Sequence, residues 1–388
     1  MSQSKYGKLA RFTYALLIAL FTIMLFASCV SDEATVSDTN IMNAIGDGES
    51  SDISTPTPIV TVDVDWPDTP VSDFDFQFDV GLGGAVITRY TGNNALRVRI
   101  PDTIDGEPVV GIAGGSNTVD GAFSHAAIIS VYIPSTVTYI GVHAFARSHI
   151  TSIEIPNSVT EIHRRAFWHT EIGGTLVIPD SVTYIGRDAF SHTNVEFVIL
   201  GAGVNYIGRG AFLETPLTHI SVSPDNPTLV DIDGVVFIID ISAWDSEELE
   251  ALIEVSHDAL DGNELKIIYL FPNGRYGHYR IPYGTTLIAG IAFNFSMTSV
   301  QNPLIITVPG SINHITRSAF SYHASLAEVI IEEGVLSIGS NAFSNARNLT
   351  HVNLPYSIMY ISNNAFLNTG LDEDSRQRVL QINPNAQF

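Results

Sequence analysis

The sequence predicts a solenoid, a stack of short β-rich coils around one elongated apolar interior, and three observations predict it. The dipeptide Ala-Phe recurs with its ring at Phe123, Phe145, Phe167, Phe190, Phe212, Phe293, Phe320, Phe343 and Phe366, in steps of 22, 22, 23, 22, 81, 27, 23 and 23 residues. Each copy follows a similar segment: Ile133-Pro134-Ser135-Thr136-Val137-Thr138-Tyr139-Ile140-Gly141 precedes Phe145, and Ile178-Pro179-Asp180-Ser181-Val182-Thr183-Tyr184-Ile185-Gly186 precedes Phe190. Within the segment, Ser152-Ile153-Glu154-Ile155 alternates with period two, a strand with Ile153 and Ile155 inward and Glu154 outward; Pro156 then ends it, because proline cannot donate to a ladder. A coil of this length cannot bury Val159, Ile162 and Phe167 alone, so it stacks on its neighbours. The nine phenylalanines read as a structural file, each contributing about 1.5–3 kcal/mol on burial.

Composition removes other classes. The chain has 388 residues, 18 Lys+Arg against 41 Asp+Glu, a net charge of −23 and one cysteine. One cysteine excludes an intrachain disulfide framework and a Cys-rich zinc site. The acidic balance argues against a nucleic-acid partner, whose phosphates need Lys and Arg. Only Lys5, Lys8 and Lys266 are available for lysine chemistry.

The elements follow in chain order. Residues 1–28 read as a targeting segment: Lys5, Lys8 and Arg11 precede an uncharged, mostly apolar run from Phe12 to Ala27, right in length for a secretory signal core and short for a membrane span. Leu25-Phe26-Ala27-Ser28-Cys29 resembles a bacterial lipobox, with Phe26 where leucine is more usual; the resemblance implies that Cys29 is lipidated and becomes the mature N-terminus. Ordinary signal cleavage and an uncleaved anchor are the alternatives. Residues 29–70 read as an acidic, solvated tether; Val30 to Val80 holds twelve carboxylates and no Lys or Arg. Residues 71–122 read as an N-terminal cap and first repeat, with Phe74, Phe76 and Phe78 on one face of a capping strand. Repeats occupy 123–220 and 278–368. Between them, 221–277 is an insertion, in which Val235-Val236-Phe237-Ile238-Ile239 and Leu265-Lys266-Ile267-Ile268-Tyr269-Leu270 form a hairpin and 245–261 a short acidic helix, either a packed ornament or part of a partner site. The polar end, 369–388, covers the last coil or trails from it.

The pattern I-P-x-S-V-T-x-I-G-x-x-A-F resembles the leucine-rich repeats of BspA-like bacterial surface antigens, also called Treponema-type repeats. The likeness spans about residues 86–368 and includes the opening Ile87-Thr88-Arg89-Tyr90-Thr91-Gly92 and Ile100-Pro101-Asp102-Thr103-Ile104-Asp105-Gly106-Glu107-Pro108-Val109. It implies a curved, right-handed leucine-rich repeat solenoid of β/α type with a parallel sheet on its concave side, and a hairpin at the insertion. It also implies cell-surface attachment and binding of host or neighbouring-cell macromolecules.

Chemistry finds little support. No G-x-S-x-G, HExxH, P-loop or G-x-G-x-x-G occurs, and the only cysteine is Cys29. The expectation is a protein that is not an enzyme and needs no cofactor. His125, His169 and His192 each stand two residues after a repeat Phe; the row is a metal candidate, against the plainer reading of a turn that accepts any polar residue, as Arg147 does. Paired carboxylates for glycoside hydrolysis need no local motif, but those in the repeats are scattered. Binding fits the architecture better. Outward strand positions, the ligand-face candidates, are Tyr132, Glu154, Val177, Phe197, Ile199, His219, Arg280, Ile330 and Asn353, with an apolar patch at Val177, Phe197 and Ile199. The expected protein is secreted, lipid-anchored to the bacterial envelope, surface exposed, and adhesive toward an extracellular protein or glycan. The alternative is a periplasmic or surface scaffold without an external ligand.

Overall fold

The structure, a computed structural model, describes residues 66–92, 96–115, 120–240, 266–272, 274–290, 292–293 and 302–388. The targeting segment, Cys29 and the helix read over 245–261 lie outside them.

Each coil has three sides, and each side repeats one set of hydrogen bonds. On the first, the segment before the Ile-Pro dipeptide forms a strand that pairs in parallel with its equivalents: Arg97–Arg99 with Ser130–Tyr132; Gly173–Ile178, Asn194–Leu200 and His219–Val222; then Gly277–Arg280, Leu304–Val308, Leu326–Ile331 and His351–Asn353. The proline carbonyl then accepts from the amide three residues on (Pro156 from Val159, 3.0 Å; Pro179 from Val182, 3.1 Å), a turn that returns the valine to the core. The second side is a ladder of two-residue strands, Tyr139–Ile140, Glu161–Ile162, Tyr184–Ile185 and Tyr206–Ile207. On the third, the repeat Phe amide donates to the Ala carbonyl of the next coil, as Phe145 does to Ala166 and Phe167 to Ala189, both at 2.8 Å. The result is a β-solenoid of about 10 turns with mostly parallel strands.

Recurring small residues serve this winding. The Ser of I-P-x-S-V donates to the valine carbonyl one coil back: Ser158 to Val137 at 2.6 Å, Ser181 to Val159 at 2.8 Å, Ser357 to Val335 at 2.8 Å. Three residues after the Phe, a buried hydroxyl returns to the Phe carbonyl in Ser148, Thr170, Thr193, Thr215 and Thr369. Two residues after it the backbone is left-handed whatever the side chain: His125, Arg147, His169, His192, Glu214, Tyr322, Asn345 and Asn368 have φ between 55° and 61°.

The repeat phenylalanines stack in a file. Ring centroids lie 4.9 Å apart for Phe123–Phe145, 5.2 Å for Phe145–Phe167, 5.1 Å for Phe167–Phe190 and 5.7 Å for Phe190–Phe212. Beyond the insertion, Phe293, Phe320, Phe343 and Phe366 follow at 4.4, 5.1 and 5.1 Å, the first of these pairs tilted. Two members lack the Ala-Phe signature. Tyr90 stacks on Phe123 at 5.4 Å and its amide bonds to the Ala122 carbonyl; Phe271 stacks on Phe293 at 4.6 Å and bonds to Ala292.

The ends are closed. At the start, Phe74–Asp79 pairs antiparallel with Gly84–Tyr90, with a bulge between Asp75 and Phe76. Phe74 is buried edge-on to Phe123, whereas Phe78 is 50% exposed and packs with Phe76, so the three rings of the alternating strand do not share one environment. Residues 66–70, read from composition as the end of the tether, belong to the folded body: Thr69 is buried and exchanges two backbone-directed hydrogen bonds with Arg99, and Asp68 pairs with Arg99 at 2.8 Å. At the other end, helix Glu373–Ile382, N-capped by Asp372, lies on the last coil: Ser375 Oγ accepts from the Val352 amide and Asn383 donates to the Ile361 carbonyl. The cap thereby satisfies strand edges that would otherwise template pairing.

In the insertion, Val235–Ile238 pairs antiparallel with Ile267–Leu270 and also with Leu229–Ile232, across the turn at Asp233-Gly234. Tyr269 is buried, and its hydroxyl bonds to both the amide and the carbonyl of Ile207, tying the insertion to the fourth two-residue strand.

Candidate functional site

Because side chains alternate along a strand, the first side presents two outward rows, and the ladder registers define them. One runs Arg99, Tyr132, then Val177, Ile199, Ser221; the other Arg97, Ser130, then Thr175, Phe197, His219. After the insertion they continue as Arg280, Thr307, Ile330, Asn353 and as His278, Ile305, Glu328, His351. Arg97 and Arg99 extend both rows by one coil; Arg99-Ile100-Pro101 repeats the order of Tyr132-Ile133-Pro134, which is the signal that places them.

The segment Ser152–Ile155 departs from the strand reading. Thr151 keeps the ladder, donating to Ile129 and accepting from Gly173, but the described backbone bonds stop there and no strand forms. In the next coil Gly174 has φ +66°, and it lies opposite a bulge at Glu196 in the coil after that, where the register shifts between Val195 and Phe197. Glu154 is exposed, and Ile153, read as inward, is only partly buried. The gap and the two glycines open a groove of about 940 Å³ across successive coils, lined by Ile153, Glu154, Thr175, Val177, Ile199 and Ser221. Val177 and Phe197 are half-buried and Ile199 is 39% exposed.

Toward the N-terminal end the rows become cationic and aromatic: the Arg99 guanidinium lies 3.9 Å from the Tyr132 ring centroid, and that of Arg97 lies 5.4 Å from Trp66. His219 abuts the hairpin turn; the Ile220 amide bonds to the Gly234 carbonyl, so the hairpin takes the next place in the ladder and covers that row's end. Past the insertion, Arg280 makes a two-point pair with Glu332 at 2.6 and 2.9 Å, and His278 meets Thr307 at 2.8 Å. His351 pairs with Asp372 at 3.0 Å; the hydrogen bonds from Ser375, then from His351, hold the Asp372 carboxyl down at about 2. Ile330 is half-buried and Asn353 exposed.

His125, His169 and His192 all occupy the left-handed turn position, and only His169 and His192 stack, at 4.1 Å. Among the described residues, no group of three or more His, Cys, Asp or Glu side chains converges as a metal site. Along the ladder the outward side chains run from cationic, through apolar, to mixed polar.

Fold and face together define a leucine-rich repeat solenoid. Residues 117–234 and 269–386 match the BspA type leucine rich repeat region in six copies, and the chain belongs to that family. No curated protein matches it in sequence. Solved structures similar to it include a Treponema pallidum leucine rich repeat protein, 20% identical over 83% of this chain and 100% of that one, with a TM-score of 0.33. The pneumococcal vaccine antigen PcpA is 17% identical over 75% and 84%, with a TM-score of 0.45. A leucine rich cell surface protein of Faecalibacterium prausnitzii is 22% identical over 77% and 86%, with a TM-score of 0.38. The family and the fold are those of repeat scaffolds that generally bind without catalysing.

Proposed function

We propose that the protein is a cell-surface, lipid-anchored binding module that adheres to a protein or glycan on a host or neighbouring cell. The observation that carries this reading is the open groove on the strand ladder, which exposes Ile153, Val177 and Ile199 beside Glu154 and Ser221. Contacts spread over successive coils add through effective concentration, so individually weak ones suffice. The lipobox-like Leu25–Cys29 and the long acidic stretch after it support an anchor and a spacer.

Binding is tested by arraying the purified chain on extracellular-matrix proteins and surface glycans beside an Ile199→Asp variant. A ligand retained by the parent and lost by the variant supports the reading; unchanged retention moves the site elsewhere. Cys29→Ala should release the chain from membrane fractions. Protease treatment of intact cells should remove it, and a chain that stays whole until the envelope is broken would favour an internal scaffold.

A further inference from the structure

The groove lies on the strand side of the coils, but a cluster of cations lies on the Ala-Phe side. In a chain of net charge −23, the turns flanking four successive Ala-Phe pairs carry His143 and Arg147; Arg164, Arg165, Trp168 and His169; Arg187 and His192; and Arg209. The fold does not require cations there. The position of Arg147 is filled by Asn345 and Asn368 in later coils with the same left-handed backbone, and that of Arg187 by Ser340.

The geometry organises these groups around one ring. The guanidinium of Arg147 lies 4.7 Å and that of Arg165 5.0 Å from the centroid of Trp168. His169 meets Trp168 edge-on at 4.4 Å and stacks on His192 at 4.1 Å with 4° between the planes. Among the described residues of these turns the carboxylates are Asp188, buried and shared by Arg165 at 3.2 Å and Arg187 at 3.4 Å, and Glu214 two residues after Phe212; five arginines against two carboxylates leave the four turns net positive. Next to it is a cleft of about 390 Å³ lined by Arg165, Trp168, Arg187, Asp188, His192 and Arg209. Burial first, and then the charge interactions with His192 and Arg147, push the His169 pKa down.

We propose that this side is a second binding site, for an anionic polysaccharide built of sulfated or uronic-acid sugars. Charge complementarity selects an anion. Each of four successive coils, whose buried rings stack 4.9 to 5.7 Å apart, carries at least one of these cations, which suits a polymer with repeated charges rather than a single small anion. The Trp168 ring and the His169–His192 pair add flat surfaces for the C–H faces of pyranose rings, which an acidic peptide does not offer.

The test titrates the full chain with heparin oligosaccharide, poly-glutamate and neutral dextran, following the heat of binding by isothermal titration calorimetry and repeating the series at rising salt. The variant Arg147→Asn/Arg187→Ser borrows residues that later coils already carry, and its melting temperature is measured alongside. The expected result is heparin binding that weakens with salt, no dextran binding, much weaker poly-glutamate binding, and a loss of about tenfold in heparin affinity in the double variant at unchanged melting temperature. Trp168→Phe, which keeps a ring, should bind more weakly than the parent and more tightly than Trp168→Ala. Absence of heparin binding, equal affinity for poly-glutamate, or full affinity in the double variant would overturn the proposal. Because Ile199→Asp leaves this side intact, it should bind heparin like the parent.

Discussion

A single ring in the file illustrates what each coil gains from its neighbours. Phe167 is fully buried between Phe145 and Phe190, and its loss leaves a cavity that stacked backbone on both sides cannot fill. Phe167→Ala should cost about 3–5 kcal/mol, whereas Glu154→Ala, exposed outside any strand, should stay within about 0.5 kcal/mol; urea unfolding of both checks this. His323 is the contrasting case. It takes the place three residues after Phe320 that five other coils give to a buried Ser or Thr, is fully buried, and has no hydrogen-bond partner at either ring nitrogen among the described residues. Burial lowers its pKa from 6.5 to about 4. The unfolded chain therefore takes up the proton first: stability from this site is complete above pH 6.5 and is lost as pH falls toward 4, by about 3 kcal/mol in all. Melting curves between pH 7.5 and 4.5 should flatten in His323→Thr relative to the parent; the same slope in both would locate the pH sensitivity elsewhere.

Among the elements, the C-terminal helix does most for the edge it covers. Truncation after Gly370 removes Ser375 from the Val352 amide and Asn383 from the Ile361 carbonyl, and exposes the His351–Asn353 strand. The truncated chain should melt lower and associate as concentration rises, read by sedimentation velocity. What the sequence disclosed at this scale follows from what repeats. The coil was legible because its bonds recur at 22- and 23-residue spacing with Ala-Phe at each register. Tyr90 and Phe271 complete the file without that dipeptide, and Phe271 follows a shortened turn, so a search on the motif passes over them. Alternation in Ser152–Ile155 placed Ile155 in the core and Glu154 in solvent, but it did not disclose that the backbone stays unpaired and leaves Ile153 partly buried at the groove. The cluster around Trp168 was hidden for another reason: its members occupy different positions of different coils and meet only once the coils are stacked.

For the molecule as a whole, every outward row is assembled from one or two residues per coil, so the proposed binding surfaces exist only while the stack is in register. Solenoid stability is a sum of coil terms and nearest-neighbour terms, so damage should spread along the axis and fade with distance. Hydrogen exchange of the full chain with and without Phe190→Ala tests this most directly. Protection should be lost around the amides of Phe167, Phe190 and Phe212 and their two-residue strands and retained at Phe343 and Phe366. Uniform loss across both blocks of coils, or no loss beyond the substituted turn, would contradict a stack held together coil by coil.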